Sequence, residues 1–220
     1  MSTWGVIFDW DGVIIDSSRQ HDRAWQMLAE SEGRTLSPDY FKRSFGMKNE
    51  RAILELLRWT QDPAEISRLS LKKEAMYREL IAAEGIAVLP GVKPLLAWLS
   101  KQGVPCVVGS STPAANILCV LDTLGLRNAF PHLVCAGDVS HGKPHPEVFL
   151  KAAQRLGLPT TRCVVFEDAH VGIEAARAAG MKVVAVATTH PADTLSDADL
   201  VVNRLTDLDP ERVAAWFPAA

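Results

Sequence analysis

The sequence predicts an α/β fold, a Rossmann-like parallel sheet interrupted after its first strand by a helical insertion. Three observations predict it. From Leu89 onward, short β-branched runs alternate with helical patterns, which is how a parallel sheet covered on both faces reads. Residues 17–86 carry helical periodicity and no credible strand. One apolar run, Val6-Ile7-Phe8, precedes that helical stretch and ends abruptly in Asp9-Trp10-Asp11-Gly12-Val13. The expected domains are 1–15 with 88–220, and an inserted 16–87.

Each element has its own signals. Asp16–Glu32 is predicted as a helix that Ser17 or Ser18 can cap, with Ala24, Trp25, Leu28 and Ala29 as its apolar stripe. Ser37-Pro38 opens a short second helix, with proline in its first turn. The loop at Phe45-Gly46-Met47-Lys48 leads to a third helix carried by Ala52, Ile53, Leu56 and Leu57, ending before Asp62-Pro63. A long fourth helix runs to about Glu84, where Gly85 stops it.

Beyond the insertion, helix Val92–Lys101 stops at Gly103 and strand Val104–Gly109 follows. A helix ending near Gly125, strand Leu133–Ala136, helix Pro146–Leu156 and strand Cys163–Phe166 come next. Helix Val171–Ala179, strands Lys182–Ala187 and Leu200–Val202, and helix Pro210–Phe217 complete the chain.

Composition narrows the class. A net charge of −3 offers no basic field for nucleic acid. No apolar run reaches the ~18 residues of a membrane span, and the N-terminus has no basic n-region or cleavage site. Three of the four cysteines (Cys106, Cys119, Cys135, Cys163) lie in strand-like runs, and none is in a C-x-x-C pair. They read as reduced core residues of a cytoplasmic protein. Nothing demands assembly, so a monomer is expected.

In a doubly wound sheet, ligands bind beyond the carboxyl ends of the strands. The first strand delivers Asp9 and Asp11, which start out on one side because strand residues i and i+2 face the same way. Gly12 permits a sharp turn there. Val107-Val108-Gly109 delivers Ser110, and Cys163-Val164-Val165-Phe166 delivers Glu167 and Asp168. Lys143 comes from His141-Gly142-Lys143-Pro144-His145-Pro146. One hydroxyl, one ammonium and four carboxylates at one rim suit a phosphoryl group and a hard cation such as Mg²⁺. Each group alone has a plainer reading: a solvated turn at Asp9 and Asp11, a helix cap at Ser110, a solvated charge at Lys143, a helix start at Glu167-Asp168.

Together, and in this order, these segments resemble the four motifs of the haloacid dehalogenase (HAD) superfamily. Asp9-x-Asp11-Gly12-Val13 resembles motif I, Ser110 motif II, Lys143 motif III, and Glu167-Asp168-Ala169-His170-Val171-Gly172-Ile173-Glu174-Ala175-Ala176 motif IV. The resemblance implies a Mg²⁺-dependent enzyme acting on a small phosphorylated metabolite, with Asp9 as nucleophile forming an aspartyl-phosphate. Asp11 would protonate the leaving oxygen and then activate water. Asp9, the backbone carbonyl of Asp11, and Asp168 would hold the metal, with Glu167 assisting directly or through water. Ser110 would bind a phosphoryl oxygen and Lys143 would offset charge. Gly109, Ser110 and Ser111 would let backbone amides approach the phosphate.

The insertion reads by the same resemblance as a C1-type cap of the β-phosphoglucomutase branch, with substrate choice on the cap and in the loop 45–50. His21, Lys48, Asn49 and Lys73 are its candidate substrate-binding residues, alongside Gly12 and Ser111 of the core. Solvated helix faces are the plainer reading for Lys48 and Lys73, and a surface position for His21. Asp11 with Glu167-Asp168 argues against a dehalogenase, and Asp11 against a phosphonatase. A mutase of this branch is matched at Asp16, His21 and Lys73 but carries an arginine where this chain has Asn49, which favours a phosphatase. Lys48 next door is able to compensate, which leaves a sugar-phosphate mutase as the alternative.

Phe45 to Ile53, Trp59, Asp62-Pro63, Val139 to Pro144 and Ala187 to Pro191 look like a narrower group, the 5-amino-6-(5-phosphoribitylamino)uracil phosphatases. A catalytically idle binding module is the alternative from another class. A histidine metal site is a further one. His141 and His145 are four apart, but Gly142 and Pro144 break any helix between them, and no third ligand with sensible spacing accompanies them.

Overall fold

The structure, a computed structural model, describes residues 4–44 and 47–218, without the side chain of Lys42. Phe45 and Gly46, from the loop read above as substrate-selecting, lie outside the described residues. The chain forms two compact units, Met1–Asp16 with Ala87–Ala220, and Ser17–Ile86.

The first unit is built on six parallel strands: β1 (Gly5–Phe8), β2 (Cys106–Gly109), β3 (His132–Val134), β4 (Cys163–Glu167), β5 (Lys182–Val186) and β6 (Leu200–Val202). Their order is β3-β2-β1-β4-β5-β6. Phe8 lies opposite Val108 on one side and Phe166 on the other. β1, β2 and β4 are buried along their whole length, which explains runs that are apolar without alternation.

Ile7, Val107, Val165 and Val183 pack against Val148, Phe149 and Ala152 of helix Glu147–Leu156, and against Ile173 and Ala176 of helix His170–Ala178. Each such valine, isoleucine or phenylalanine side chain contributes about 1.5–3 kcal/mol by leaving water. Ile15 bridges Val88, and the Leu89 amide donates to the Ile14 carbonyl at 2.9 Å, so the two stems of the insertion lie side by side.

The second strand begins at Cys106, not at Val104. Pro105 has no amide hydrogen to give a ladder, and the Val104 amide is spent on the Leu99 carbonyl at 2.9 Å. β3 is likewise shorter than expected and stops at Val134. Cys106, Cys135 and Cys163 are buried, and burial pushes their thiols up to about 12, 12 and 11.

The second unit holds helices α1 (Ser18–Ser31), α2 (Tyr40–Ser44), α3 (Asn49–Arg51) and α4 (Pro63–Glu84). Its core is Trp25, Leu28, Ala29, Tyr40, Ala52, Ile53, Trp59, Ile66 and Leu69. Asp62 caps α4 by accepting from the Ala64 amide at 3.1 Å, with Pro63 in the first turn. Gly85 ends it at φ +72°.

Three local expectations fail here. Ser17 sits at the cap of α1 but makes no side-chain capping bond. Pro38 falls in a turn, and α2 starts two residues later. The third helix is a single α-turn that widens into a π-helical turn over Ala52–Leu56. The Leu57 amide reaches back to Ala52 (2.8 Å), and the chain leaves through Arg58 at φ +52°. Among the described residues no helix is long and apolar enough to cross a membrane.

Candidate active site

The strand order reverses direction at β1, so the carboxyl ends of β1 and β4 flank the crevice where doubly wound sheets take ligands. Asp9 follows β1 directly, and its amide donates to the Phe166 carbonyl at 2.9 Å. Glu167 ends β4 and Asp168 comes next. All three carboxylates are buried, and each offers an oxygen within 4.8 Å of the others.

Lys143 is the counter-ion. Its Nζ donates to Asp9 Oδ1 (2.7 Å) and to Glu167 Oε1 (2.6 Å), and lies 4.9 Å from the centroid of the Phe149 ring. Its side chain is only 7% exposed, which removes the solvated-charge reading. Glu167 Oε2 accepts from the amides of Asp168 (2.7 Å) and Ala169 (2.8 Å). Both oxygens of Glu167 are therefore engaged by protein donors.

Thr189 donates its hydroxyl to Asp168 Oδ2, and Thr188 donates to the carbonyl of Gly12. Asp11 is half-buried, and Thr112 Oγ1 donates to its Oδ2 at 2.5 Å. Ser110 is buried and its Oγ accepts from the Thr112 amide at 3.1 Å, a turn that still leaves its hydroxyl hydrogen as a donor. Ser111 is exposed on the same bend.

One ammonium cannot neutralise three buried carboxylates. Burial pushes Asp9 from 3.8 up to about 7, against the pull of Lys143 and with the push of Glu167. Burial likewise pushes Asp168 from 3.8 up to about 8, helped by Glu167 and Asp9. Burial by itself would lower Lys143, but the carboxylates of Asp9 and Glu167 outweigh it and hold the ammonium above the usual lysine range. The donor set is all hard oxygen and short of positive charge, which fits Mg²⁺.

Gly12 matters to this geometry. Its φ is +79°, and a Cβ there would sit 2.0 Å from Asp168 Oδ2. Gly12→Ala is expected to cost about 1–2 kcal/mol in backbone strain alone and to displace the Asp168 carboxylate. Chemical denaturation and turnover, measured together, should both fall. Gly172 serves the neighbouring carboxylate, because a Cβ there would come within 1.7 Å of Glu167 Oε1.

The candidate residues of the helical unit form a second cluster. Lys73 is 2% exposed, so the solvated-face reading does not hold. Its Nζ lies 2.7 Å from His21 Nδ1 and donates to Glu74 Oε1 at 2.9 Å, near the rings of Trp25 (5.6 Å) and Tyr77 (5.8 Å). His21 stacks on Tyr77 at 4.1 Å. Asn49 Nδ2 donates to Glu74 Oε1 (2.5 Å) and Ser70 Oγ (3.3 Å). Lys48, in contrast, is exposed at the start of α3. Asn49 and Lys73 thus meet at Glu74, which sequence reasoning missed, and His21 joins the cluster through Lys73.

The family profile "Hydrolase: haloacid dehalogenase-like hydrolase" matches residues 5–180. Over 207 residues the chain is 38% identical to the chloroplastic 5-amino-6-(5-phospho-D-ribitylamino)uracil phosphatase of Arabidopsis thaliana, covering 93% of this chain and 55% of that protein. It is 38% identical over 185 residues to the fructose-1-phosphate phosphatase YqaB of Escherichia coli, covering 83% and 95%. The crystal structure of a β-phosphoglucomutase from Clostridium difficile matches with a TM-score of 0.84 at 29% identity, over 98% of this chain and 97% of that one.

Proposed function

Because this chain belongs to the haloacid dehalogenase-like hydrolases, we propose that it is a Mg²⁺-dependent phosphatase of a small phosphorylated sugar or ribityl compound. The observation that carries this reading is the buried group of Asp9, Glu167 and Asp168, of which Lys143 pairs with Asp9 and Glu167.

Asp9 attacks phosphorus and the ester oxygen leaves, giving an aspartyl-phosphate that water then cleaves. Asp11, steadied by Thr112, gives a proton to the leaving oxygen and later takes one from the attacking water. Ser110 donates to a phosphoryl oxygen, and Lys143 offsets the charge of Asp9 and the phosphoryl group. Asp9, the Asp11 carbonyl and Asp168 would hold Mg²⁺, and the ion would offset repulsion between a carboxylate and a phosphate dianion. Glu167, with both oxygens engaged, acts chiefly by holding Lys143 in place. The helical unit carries substrate choice, with His21 and Lys73 as its candidate polar groups, Asn49 holding Glu74 beside Lys73, and Lys48 as an exposed charge.

The direct test is phosphate release from p-nitrophenyl phosphate and from the ribitylaminouracil phosphate, with and without Mg²⁺. No release under either condition would leave the idle binding module as the better description. Asp11→Asn should keep metal binding largely in place, since only its carbonyl is a ligand. Its rate loss should be largest on esters with poor leaving groups, read as kcat across a leaving-group series.

The metal part of the reading makes a thermodynamic prediction. Asp9 and Asp168 have folded-state values raised above the 3.8 of the unfolded chain. Their contribution to stability is complete below that value and is lost as pH rises through about 7 and 8. Chelator-treated protein should therefore show a Tm that falls over this window, with a shallower fall in Asp168→Asn. Mg²⁺ should stabilise most at the alkaline end, where both carboxylates are ionised. A Mg²⁺ effect independent of pH would count against these ligands.

The likeness to a β-phosphoglucomutase structure supports a second reading, a sugar-phosphate mutase. Asn49 weighs against it, because its amide is committed to Glu74 and Ser70. Conversion of β-glucose 1-phosphate to glucose 6-phosphate, with glucose 1,6-bisphosphate supplied, decides between the two.

A further inference from the structure

The turn that presents Lys143 carries a second group of ligand-type side chains, two exposed histidines and a half-buried glutamate, separate from the carboxylate centre. His141 and His145 flank Lys143 by two residues on each side, and their rings lie 4.6 Å apart with a tilt of 36°. Spacing alone offered no third partner, but the fold brings one. Glu147, at the start of helix Glu147–Leu156, folds back so that its Oε2 accepts from the His141 amide (2.9 Å) and lies 3.3 Å from His141 Nδ1. One ligand atom from each of His141, His145 and Glu147 lies within 4.8 Å of the other two.

We propose that His141, His145 and Glu147 form a surface site for a borderline transition-metal ion such as Zn²⁺. Two imidazoles and a carboxylate make a nitrogen-rich set, which favours Zn²⁺, Co²⁺ or Ni²⁺ over Mg²⁺. The site is chemically distinct from the all-oxygen group of Asp9, Glu167 and Asp168. Lys151 already holds Glu147 Oε1 at 2.6 Å, so Oε2 is the oxygen on the histidine side. Glu147 also accepts from the Ser140 amide at 3.1 Å, which fixes the carboxylate before any ion arrives. His145 Nδ1 takes the Glu147 amide at 3.3 Å, a long bond that the exposed ring can exchange for a metal. The ion would join the two flanks of the turn that carries Lys143.

The test is Zn²⁺ uptake by equilibrium dialysis of the full chain in excess Mg²⁺, compared between wild type and His141→Gln/His145→Gln. The expected result is one more Zn²⁺ per chain in the wild type, with a Zn²⁺-dependent rise in Tm that the double variant lacks. Co²⁺ should give the wild type a visible ligand-field spectrum that the variant also lacks. Equal uptake by the two proteins, or none by the wild type, overturns the proposal. Circular dichroism without metal checks the variant's fold, and His145→Gln alone serves should the double variant misfold. Glu147 is left intact because it also ties down the turn.

Discussion

Asp9→Asn should abolish turnover while leaving the protein folded. Asparagine matches the shape of aspartate but cannot form an acyl-phosphate, so kcat should drop on the order of 10⁴-fold or more. The fold should tolerate the change for a reason visible in the site. Asp9 is a carboxylate whose ionisation burial disfavours, and Lys143 keeps Glu167 as a partner when Asp9 is neutralised. Without metal, the variant should be at least as resistant to urea as the wild type near neutral pH. With Mg²⁺ the order should reverse, because the variant has lost a ligand. Phosphate release and paired urea titrations check both halves. A variant turning over at the wild-type rate would remove Asp9 from the chemistry altogether.

Lys143→Met should damage stability and catalysis together. The ammonium is the one cation that Asp9 and Glu167 share, and its side chain is almost fully enclosed. Methionine can still fill the space against Phe149, yet it leaves two carboxylates facing each other. Removing one partner of a buried ion pair typically costs about 3–5 kcal/mol. Part of that should return with Mg²⁺, which supplies positive charge beside Asp9 and Asp168. Catalysis should suffer about 10²–10³-fold in kcat, the usual penalty for losing a preorganised charge at a reacting group. Lys143→Arg should not rescue, because the guanidinium is too large for an enclosed position between Asp9, Glu167 and Phe149. Urea titration with and without Mg²⁺, run beside steady-state kinetics, separates the two effects. Near-normal kcat in a destabilised Lys143→Met would make Lys143 a structural residue only.

The sheet was readable because buried parallel strands leave unbroken apolar runs and helices leave stripes. The residues at the strand ends were readable because charged groups directly after such runs are expensive unless used. What escaped prediction has identifiable physical causes. Pro105 lies inside an apolar run, and its missing donor, with the Val104 amide turned to the Leu99 carbonyl, shortens β2. The widened turn over Ala52–Leu56 keeps an apolar pattern that an ordinary helix would also produce. Thr112 and Thr189 support Asp11 and Asp168 across 101 and 21 residues of chain, a pairing no local pattern encodes. Thr189 lies in Ala187 to Pro191, a stretch that resembles the ribitylaminouracil phosphatases, but nothing there points at Asp168. Glu74 escaped for another reason. It follows Lys73 directly on a helix, where neighbours in sequence diverge, so a buried contact between them was not expected. Glu147 was hidden in the same way, as an ordinary first-turn acid that in fact folds back onto the turn before it.

The position of β1 in the sheet has a consequence for biosynthesis. β1 leaves the ribosome well before β4, the strand that pairs with one of its two edges and that begins only at Cys163. Until β4 has emerged, that apolar edge lacks its hydrogen-bonding neighbour, and unpaired edges of this kind recruit other chains. Nascent fragments that stop before residue 163 should therefore depend on chaperones and precipitate when expressed alone, and no fragment of that length can assemble the acidic pocket.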